Sequence, residues 1–128
     1  DFLSRVRIHQ EIAQIAMTNG QLDDHIAACR ALIKAGAADE VTSLNLSGSL
    51  LMRSATGDHR RAEELSRELL QKYPNHPAVN CNLGAALLGQ DQLVEAEQYF
   101  LRALELEPGL LPAQAGLAKV REVKAARE

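Results

Sequence analysis

Two side chains of this sequence could bind a metal together, because His25 and Cys29 are four residues apart. That spacing places both on one face of a helix, and imidazole and thiolate are usual ligands of zinc. A zinc site needs about four ligands, and the only other cysteine, Cys81, lies far along the chain. We therefore expect both cysteines to be small packing residues, and we expect neither a metal nor a cofactor.

Paired glutamates are a second candidate for chemistry, since two neighbouring carboxyl groups can act as general acid and base. Glu63 precedes Glu64, and Glu95 lies two residues before Glu97. On helices such residues are usually solvated or paired with basic neighbours. The basic neighbours here are Arg60, Arg61, Arg67 and Arg102. We expect ion pairs at these positions rather than catalysis.

Other catalytic patterns are missing from the sequence. Ser47, Ser49 and Ser54 have no accompanying histidine and acid that would form a catalytic triad. The chain has no phosphate-binding glycine loop and no nucleophile elbow. The basic cluster at 59–61 is too short to bind nucleic acid. The sequence therefore predicts a protein that is not an enzyme and does not bind nucleic acid.

Composition indicates closely packed helices. Of the 128 residues, 46% are hydrophobic but only 3% are aromatic, so the apolar residues are mainly alanine and leucine, which favour helices. The net charge is −3, and no apolar run approaches the roughly 20 residues that span a bilayer. Since the sequence opens on Asp1 without a secretory signal, we expect a single domain cut from a longer, cytoplasmic protein, whose signal could be missing.

Apolar spacing and helix breakers predict seven helices and no strand. The first helix runs over 2–18 with its apolar face on Val6, Ile8, Ile12, Ile15 and Ala16. Thr42 or Ser43 is expected to cap the third helix, and Gly57-Asp58 to form a turn and cap before the fourth. The remaining helices are predicted from Asp23 or Asp24 to 35, and over 44–54, 59–72, 77–88, 93–106 and 112–126.

A period of 34 residues organises these helices. It relates Ala62 to Ala96, Glu63 to Glu97, Leu70 to Leu104 and Pro74 to Pro108. Between Pro77 and Pro108 the chain holds two amphipathic helical patterns joined by a short polar turn. A fixed period of this length is typical of stacked helical hairpins. The sequence therefore predicts an all-α solenoid of antiparallel helix hairpins.

The unit 77–110 resembles the tetratricopeptide repeat. Its matching residues are Leu83-Gly84, Ala96, Phe100, Ala103 and Pro108, whereas Asn80 replaces a customary aromatic. Small Gly84 and Ala96 are expected where the two helices of the hairpin cross, with Phe100 and Leu83 filling the space around them. Ala103 is expected to let the next hairpin approach.

The other units resemble the family less closely. The unit 43–76 keeps Gly57, Asp58, Ala62 and Pro74, but Leu50 replaces the small residue and Ser66 the aromatic, a plausible exchange of volume. The unit 6–39 keeps the turn NGQLDD, with His25, Cys29 and Ala37 at atypical positions and about three extra residues after it. Residues 111–127 resemble a polar capping helix.

The resemblance implies a right-handed superhelix whose concave groove binds an extended peptide or a helix of a partner protein. In this sequence the groove would be lined by the first helix of each unit and by the cap. Arg7 and Glu11 would lie at its start. The residues predicted to line it are Gln10, Gln14, Leu44, Ser47, Gly48, Leu51, Ala78, Cys81, Asn82, Ala85, Ala115 and Lys119.

Three uses of such a groove stay open. Chaperone-binding relatives clamp a terminal carboxylate with Lys, Asn and Arg, and only Asn82 matches that pattern. We therefore expect a scaffold without the clamp, whose narrow, neutral groove suits an apolar peptide or helix. That peptide or helix could belong to another protein or to the parent chain. Alternatively, the domain holds substrates for a larger glycosyltransferase-like or sulfotransferase-like enzyme. It could also self-assemble through Phe2, Leu3 and Val6.

Overall fold

The computed structural model describes all 128 residues as seven helices without a strand. No helix combines the length and the apolar character needed to cross a membrane. The helices are α1 (Phe2–Thr18), α2 (Leu22–Lys34), α3 (Glu40–Arg53), α4 (Asp58–Lys72), α5 (Pro77–Gly89), α6 (Leu93–Leu106) and α7 (Leu111–Ala126). The predicted number of helices is confirmed, and the bounds of α1 and α6 agree with the predicted ones.

Consecutive helices pack against each other as hairpins, and the hairpins stack into an all-α solenoid. In addition to these sequential contacts, α3 packs on α5 and α5 on α7, so the first helices of successive units form one layer. The backbone of α1 approaches α2 alone. The first hairpin is therefore attached to the stack mainly through α2 and α3.

A left-handed turn residue marks the same point in each hairpin. Gly20, Gly57 and Asp91 have φ angles of 70°, 84° and 65°. They are 37 and 34 residues apart, so the structure confirms both the repeat and the three extra residues after the first unit. Asp91 tolerates this conformation because it is a short polar residue. Its carboxylate also forms an ion pair with Arg127, with Oδ1 2.7 Å from Nη2.

The start of α3 differs from the prediction. Asp39 caps the helix, since its Oδ1 accepts two hydrogen bonds from Thr42, one from the backbone N–H and one from the hydroxyl, each at 2.7 Å. The prediction that Thr42 or Ser43 is the cap is wrong, and α3 begins four residues earlier than predicted. Asp58 is likewise not a cap but the first residue of α4, which follows Gly57.

The core consists of two clusters that meet on α5. One joins Leu83 and Leu87 to Phe100 of α6 and Leu117 of α7. The other joins α2, α3 and α4 through Ile26, Leu50, Ala62, Leu65 and their neighbours, with Ala86 of α5 as a member. Since α5 supplies residues to both clusters, it is buried on nearly all sides, and its mainly apolar sequence follows from that position.

The close helix crossing predicted for the third unit is confirmed. Gly84 lies against the ring of Phe100, where an added Cβ would be 2.9 Å from Cδ1. Ala96 and Ala103 are fully buried beside it. In the second unit Leu50 and Ser66 are both fully buried as well. Burial of both positions is consistent with the predicted exchange of volume between a large residue on α3 and a small one on α4.

Candidate functional site

The predicted pair His25 and Cys29 is buried between α2 and α3 as a packing element. His25 Nε2 lies 3.3 Å from Cys29 Sγ, and Nδ1 lies 2.7 Å from Ser49 Oγ. Ser49 thus contacts a histidine, but no carboxylate is hydrogen-bonded to either residue, so the two do not form the histidine and acid arrangement of a catalytic triad. No third ligand joins the pair, since no cluster of three or more metal-binding side chains exists in the chain.

Burial keeps these groups neutral. It lowers the pKa of His25 from its usual value, and it raises the pKa of the Cys29 thiol to about 11. The pKa of Cys81, also buried and unpaired, is raised to about 11 for the same reason. A protonated thiol is a weak nucleophile. The neutral imidazole instead satisfies two hydrogen-bonding partners that burial would otherwise leave unpaired.

The glutamates form ion pairs, as predicted. Arg67 of α4 donates to Glu63 at 2.8 Å and to Glu95 of α6 at 2.7 Å. Its guanidinium also lies 5.9 Å from the ring centroid of Tyr99. Glu64 pairs with Arg61 at 3.2 Å. The Arg67 cluster connects the second helices of two successive units on the outer face, so its role is to join hairpins.

A buried carboxylate organises the turn between α3 and α4. Asp58 is 2% exposed and accepts two hydrogen bonds from Arg53, each at 2.8 Å, and one from the N–H of Ala55 at 2.9 Å. The hydrogen bonds from Arg53 hold the pKa of Asp58 below its usual value. Arg53 also reaches Asp23 at 3.1 Å and thereby joins the first unit to the second.

The predicted groove residues differ in exposure. Four are exposed, namely Gln10, Gln14, Ala115 and Lys119. Six are half-buried, namely Leu44, Gly48, Leu51, Ala78, Asn82 and Ala85. Ser47 and Cys81 are buried, with exposures of 0% and 6%. The side chains of Ser47 and Cys81 therefore offer little surface that a partner could contact.

The layer formed by the first helices, α1, α3, α5 and α7, is called the inner layer here, and a hydrogen bond joins α3 to α5 within it. Asn82 Nδ2 donates to Ser47 Oγ at 2.9 Å, and Ser47 Oγ donates to the carbonyl of Leu44 at 3.0 Å. One N–H of the Asn82 amide is thus used within the protein, and the hydrogen bond links α3 to α5.

Between α1 and α3 the inner layer is open. A cavity of 240 Å³ lies there, with polar walls formed by Gln10, Gln14, Thr42 and Asn45. Its inner end reaches the buried His25 and Cys29. Primary amides and hydroxyls both donate and accept hydrogen bonds. The cavity can therefore bind neutral polar groups such as the peptide unit.

A second cavity, of 320 Å³, lies beside the first turns of α3 and is mainly apolar. Val41, Leu44, Tyr73 and Val79 line it, together with Glu40, Leu69 and His76. Val41 also lines the polar cavity, so the two cavities meet at this side chain, which is 61% exposed. Sequence reasoning missed Val41 because α3 was predicted to begin after it.

Comparison with known proteins identifies the repeat. A sequence profile described as tetratricopeptide repeat matches residues 54–120. No curated protein sequence matches the chain. Among solved structures, the Arabidopsis OM64 TPR domain is 18% identical with a TM-score of 0.77, over 95% of this chain and 98% of that one.

Two further solved structures show the settings in which this fold occurs. The second TPR domain of human RPAP3, in complex with the HSP70 peptide SGPTIEEVD, is 20% identical with a TM-score of 0.74, over 94% of this chain and 98% of that one. A Thermobaculum terrenum O-GlcNAc transferase mutant is 20% identical with a TM-score of 0.73. The similarity covers 94% of this chain but 22% of that enzyme.

Proposed function

Because this chain belongs to the tetratricopeptide repeat family, we propose that it is a scaffold that binds an extended segment of a partner protein on its inner layer. The observation that carries the proposal is the junction of a polar and an apolar cavity at Val41. Peptide sites commonly combine hydrogen bonds to the main chain with a pocket for an apolar anchor. Here the two parts lie side by side along the first turns of α3.

The chemistry of the two cavities selects the partner. Amides of Gln10, Gln14 and Asn45 suit the N–H and C=O groups of a peptide main chain. The pocket beside Val41 and Tyr73 suits one large apolar side chain, whose burial contributes about 1.5–3 kcal/mol. The expected ligand is a neutral segment with an apolar anchor.

An acidic carboxyl terminus is not the expected ligand, although a structural neighbour holds the peptide SGPTIEEVD. Asp39 and Glu40 border the two cavities. The nearby Lys72 is paired with Glu40 at 3.4 Å, and Arg7 is paired with Glu11 at 3.3 Å. An incoming carboxylate would therefore meet negative charge and lose hydration without a free cation to compensate.

Catalysis by this domain is not part of the proposal, because the buried His25, Ser49 and Cys29 are satisfied by one another. A substrate-holding role within a larger enzyme is the alternative. It predicts a catalytic domain in the same gene, which sequencing the parent gene would reveal. Absence of such a domain would contradict the alternative and leave the scaffold proposal in place.

Selection from a random peptide library followed by affinity measurement tests the proposal. Selected peptides should share an apolar anchor without a carboxyl-terminal acidic run. Val41→Asp should weaken their binding at least about tenfold, because it places a charge where the apolar anchor binds. Isothermal titration calorimetry compares the affinity for one selected peptide, which has the apolar anchor, with the affinity for SGPTIEEVD, which ends in an acidic run.

Val94→Asp is the matched control, since Val94 is 66% exposed on α6, outside the inner layer. It should bind the peptide like the wild type, and circular dichroism should show equal helicity for both variants. The proposal is wrong if Val41→Asp binds normally. It is also wrong if SGPTIEEVD binds more tightly than the selected peptides and Lys119→Ala abolishes that binding.

A further inference from the structure

The first hairpin carries an apolar surface that no other part of the chain covers. Ile8, Ile12 and Ile15 of α1 are 52%, 42% and 59% exposed. Spaced by four and three residues, they form one row along the helix. Beside the row, Ala27 and Ala31 of α2 line the floor of a shallow groove. We refer to these five residues as the amino-terminal face.

The row occupies positions that are buried elsewhere in the solenoid. The turn residues Gly20 and Asp91 relate the first and third units by 71 residues. By that relation the counterparts of the three isoleucines lie on α5, which packs against α4, α6 and α7. They are Val79, Leu83 and Ala86, at most 1% exposed. The row on α1 therefore occupies positions that are covered by packing in the third unit and are exposed in the first.

Opposite charges lie at the two ends of the groove. A cavity of 330 Å³ at one end is bordered by Ile15 and Asp24, and another of 330 Å³ at the other end is bordered by Phe2, Arg5 and Lys34. The cavities share His9, so the groove is continuous. None of the three charged residues forms an ion pair within the chain.

We propose that a second copy of this chain covers the amino-terminal face in a two-fold symmetric dimer. The two α1 helices pack antiparallel with Ile12 near the axis, and the isoleucine row of each copy enters the groove of the other. Because a two-fold axis makes the two grooves run in opposite directions, Arg5 and Lys34 of one copy lie against the partner's Asp24. The symmetry repeats this contact at the other end of the interface. The surface is self-complementary in shape and in charge.

Sedimentation equilibrium tests the dimer on the whole chain between about 10 µM and 1 mM, the range of weak specific association. The wild type should change from monomer to dimer with concentration. Ile12→Glu should stay monomeric with unchanged helicity, because two glutamates would meet at the axis. Leu111→Glu, at a side chain 72% exposed on α7, should dimerise like the wild type.

Charge exchange tests the orientation of the dimer. Asp24→Arg alone and Arg5→Asp alone should each weaken self-association about tenfold, because each places like charges together twice. An equimolar mixture of the two variants should associate more tightly than either variant alone, since one contact is then as in the wild type and the other joins the two exchanged charges. The double variant should also associate more tightly than either single variant but less tightly than the wild type, because Lys34 then faces the introduced arginine.

Three results would overturn the proposal. A wild type that is monomeric at about 1 mM would mean that another occupant covers the face. Growth beyond the dimer would indicate head-to-tail stacking through α7. A dimer that survives Ile12→Glu would lie on a different surface. Because the face is separate from the cavities at Val41, peptide binding by monomeric Ile12→Glu distinguishes this proposal from the proposed function.

Discussion

Gly116 of α7 lies directly on the ring of Phe100 of α6. A Cβ added at Gly116 would be 2.4 Å from Cε1 and from Cζ of that ring. Gly84 contacts the same ring, where its own Cβ would be 2.9 Å from Cδ1. The ring is 1% exposed and cannot move away from one glycine without approaching other core atoms. Two glycines from different helices thus create the space for the largest side chain of the core.

Gly116→Ala should destabilise the fold by about 1 kcal/mol. Overpacking a core costs about 1–3 kcal/mol, which exceeds the gain of about 1 kcal/mol from replacing a helical glycine. Gly48→Ala is the control, because Gly48 is also helical but has nothing within 4 Å of an added Cβ. It should stabilise by about 0.5–1 kcal/mol. Urea unfolding measures both, and shifts in the same direction would contradict the prediction.

Ala96→Leu should cost about 1–3 kcal/mol by overpacking the crossing of α5 and α6. Ala96 is fully buried in the cluster that contains Phe100. Ala118→Leu adds the same atoms on the exposed side of α7 and should leave the melting temperature nearly unchanged. An unchanged melting temperature for Ala96→Leu would show that the crossing has room for a larger residue.

Local pattern predicted much of this fold but could not predict contacts between helices. The bounds of α6 followed from apolar spacing between a polar turn and Pro108, both local signals. The start of α3 was missed because Asp39, its cap, follows two alanines that do not break a helix. The contact of His25 with Ser49 joins residues 24 apart on different helices, and helical spacing alone does not specify such a pair.

The candidate site was predicted only in part for the same reason. Gln10, Gln14 and Leu44 were expected in the groove and do line the two cavities. The repeat pattern predicted which helices line the groove, but it could not predict the hydrogen bond between Ser47 and Asn82 that links α3 to α5. The opening between α1 and α3 lies between helices that are not consecutive in the chain, so local sequence patterns did not predict it.

Ser66→Ala should stabilise the protein by about 1 kcal/mol. Ser66 is fully buried, and its Oγ has no hydrogen-bonding partner. An unsatisfied buried hydroxyl costs about 1–3 kcal/mol, which alanine removes with little loss of packing. Ser49→Ala is the contrasting variant, because Ser49 Oγ is bonded to His25 at 2.7 Å. It should destabilise. Equal shifts of the urea midpoint in both variants would contradict this explanation.

Asp58→Asn should destabilise by about 1–3 kcal/mol, because the amide lacks the charge that pairs with Arg53 and accepts fewer of its hydrogen bonds. Asp23→Asn removes the other carboxylate bonded to Arg53, but Asp23 is 85% exposed at its side chain and should matter by less than about 1 kcal/mol. Chemical unfolding of both variants at neutral pH makes the comparison. A similar loss from both would show that burial does not distinguish the two carboxylates.

Acid should remove the contribution of Asp58. Its pKa is lowered in the folded state by the hydrogen bonds from Arg53. The stabilisation is therefore complete above the unfolded pKa of about 3.9, and it is lost as the pH falls through the folded value. Below about pH 4 the wild type should lose stability more steeply than Asp58→Asn. Parallel curves of stability against pH would contradict this linkage.

His25 should make the fold sensitive to mild acid. Burial lowers its pKa in the folded state. The unfolded chain then binds a proton at a higher pH than the folded one, so the contribution is complete above about pH 6.5 and falls by up to about 1.4 kcal/mol per pH unit below it. His25→Gln keeps an amide that can bond Ser49 and removes the titration, so its stability should vary less between pH 7 and 5. If His25→Gln loses stability with the same slope as the wild type, the acid sensitivity arises at another group.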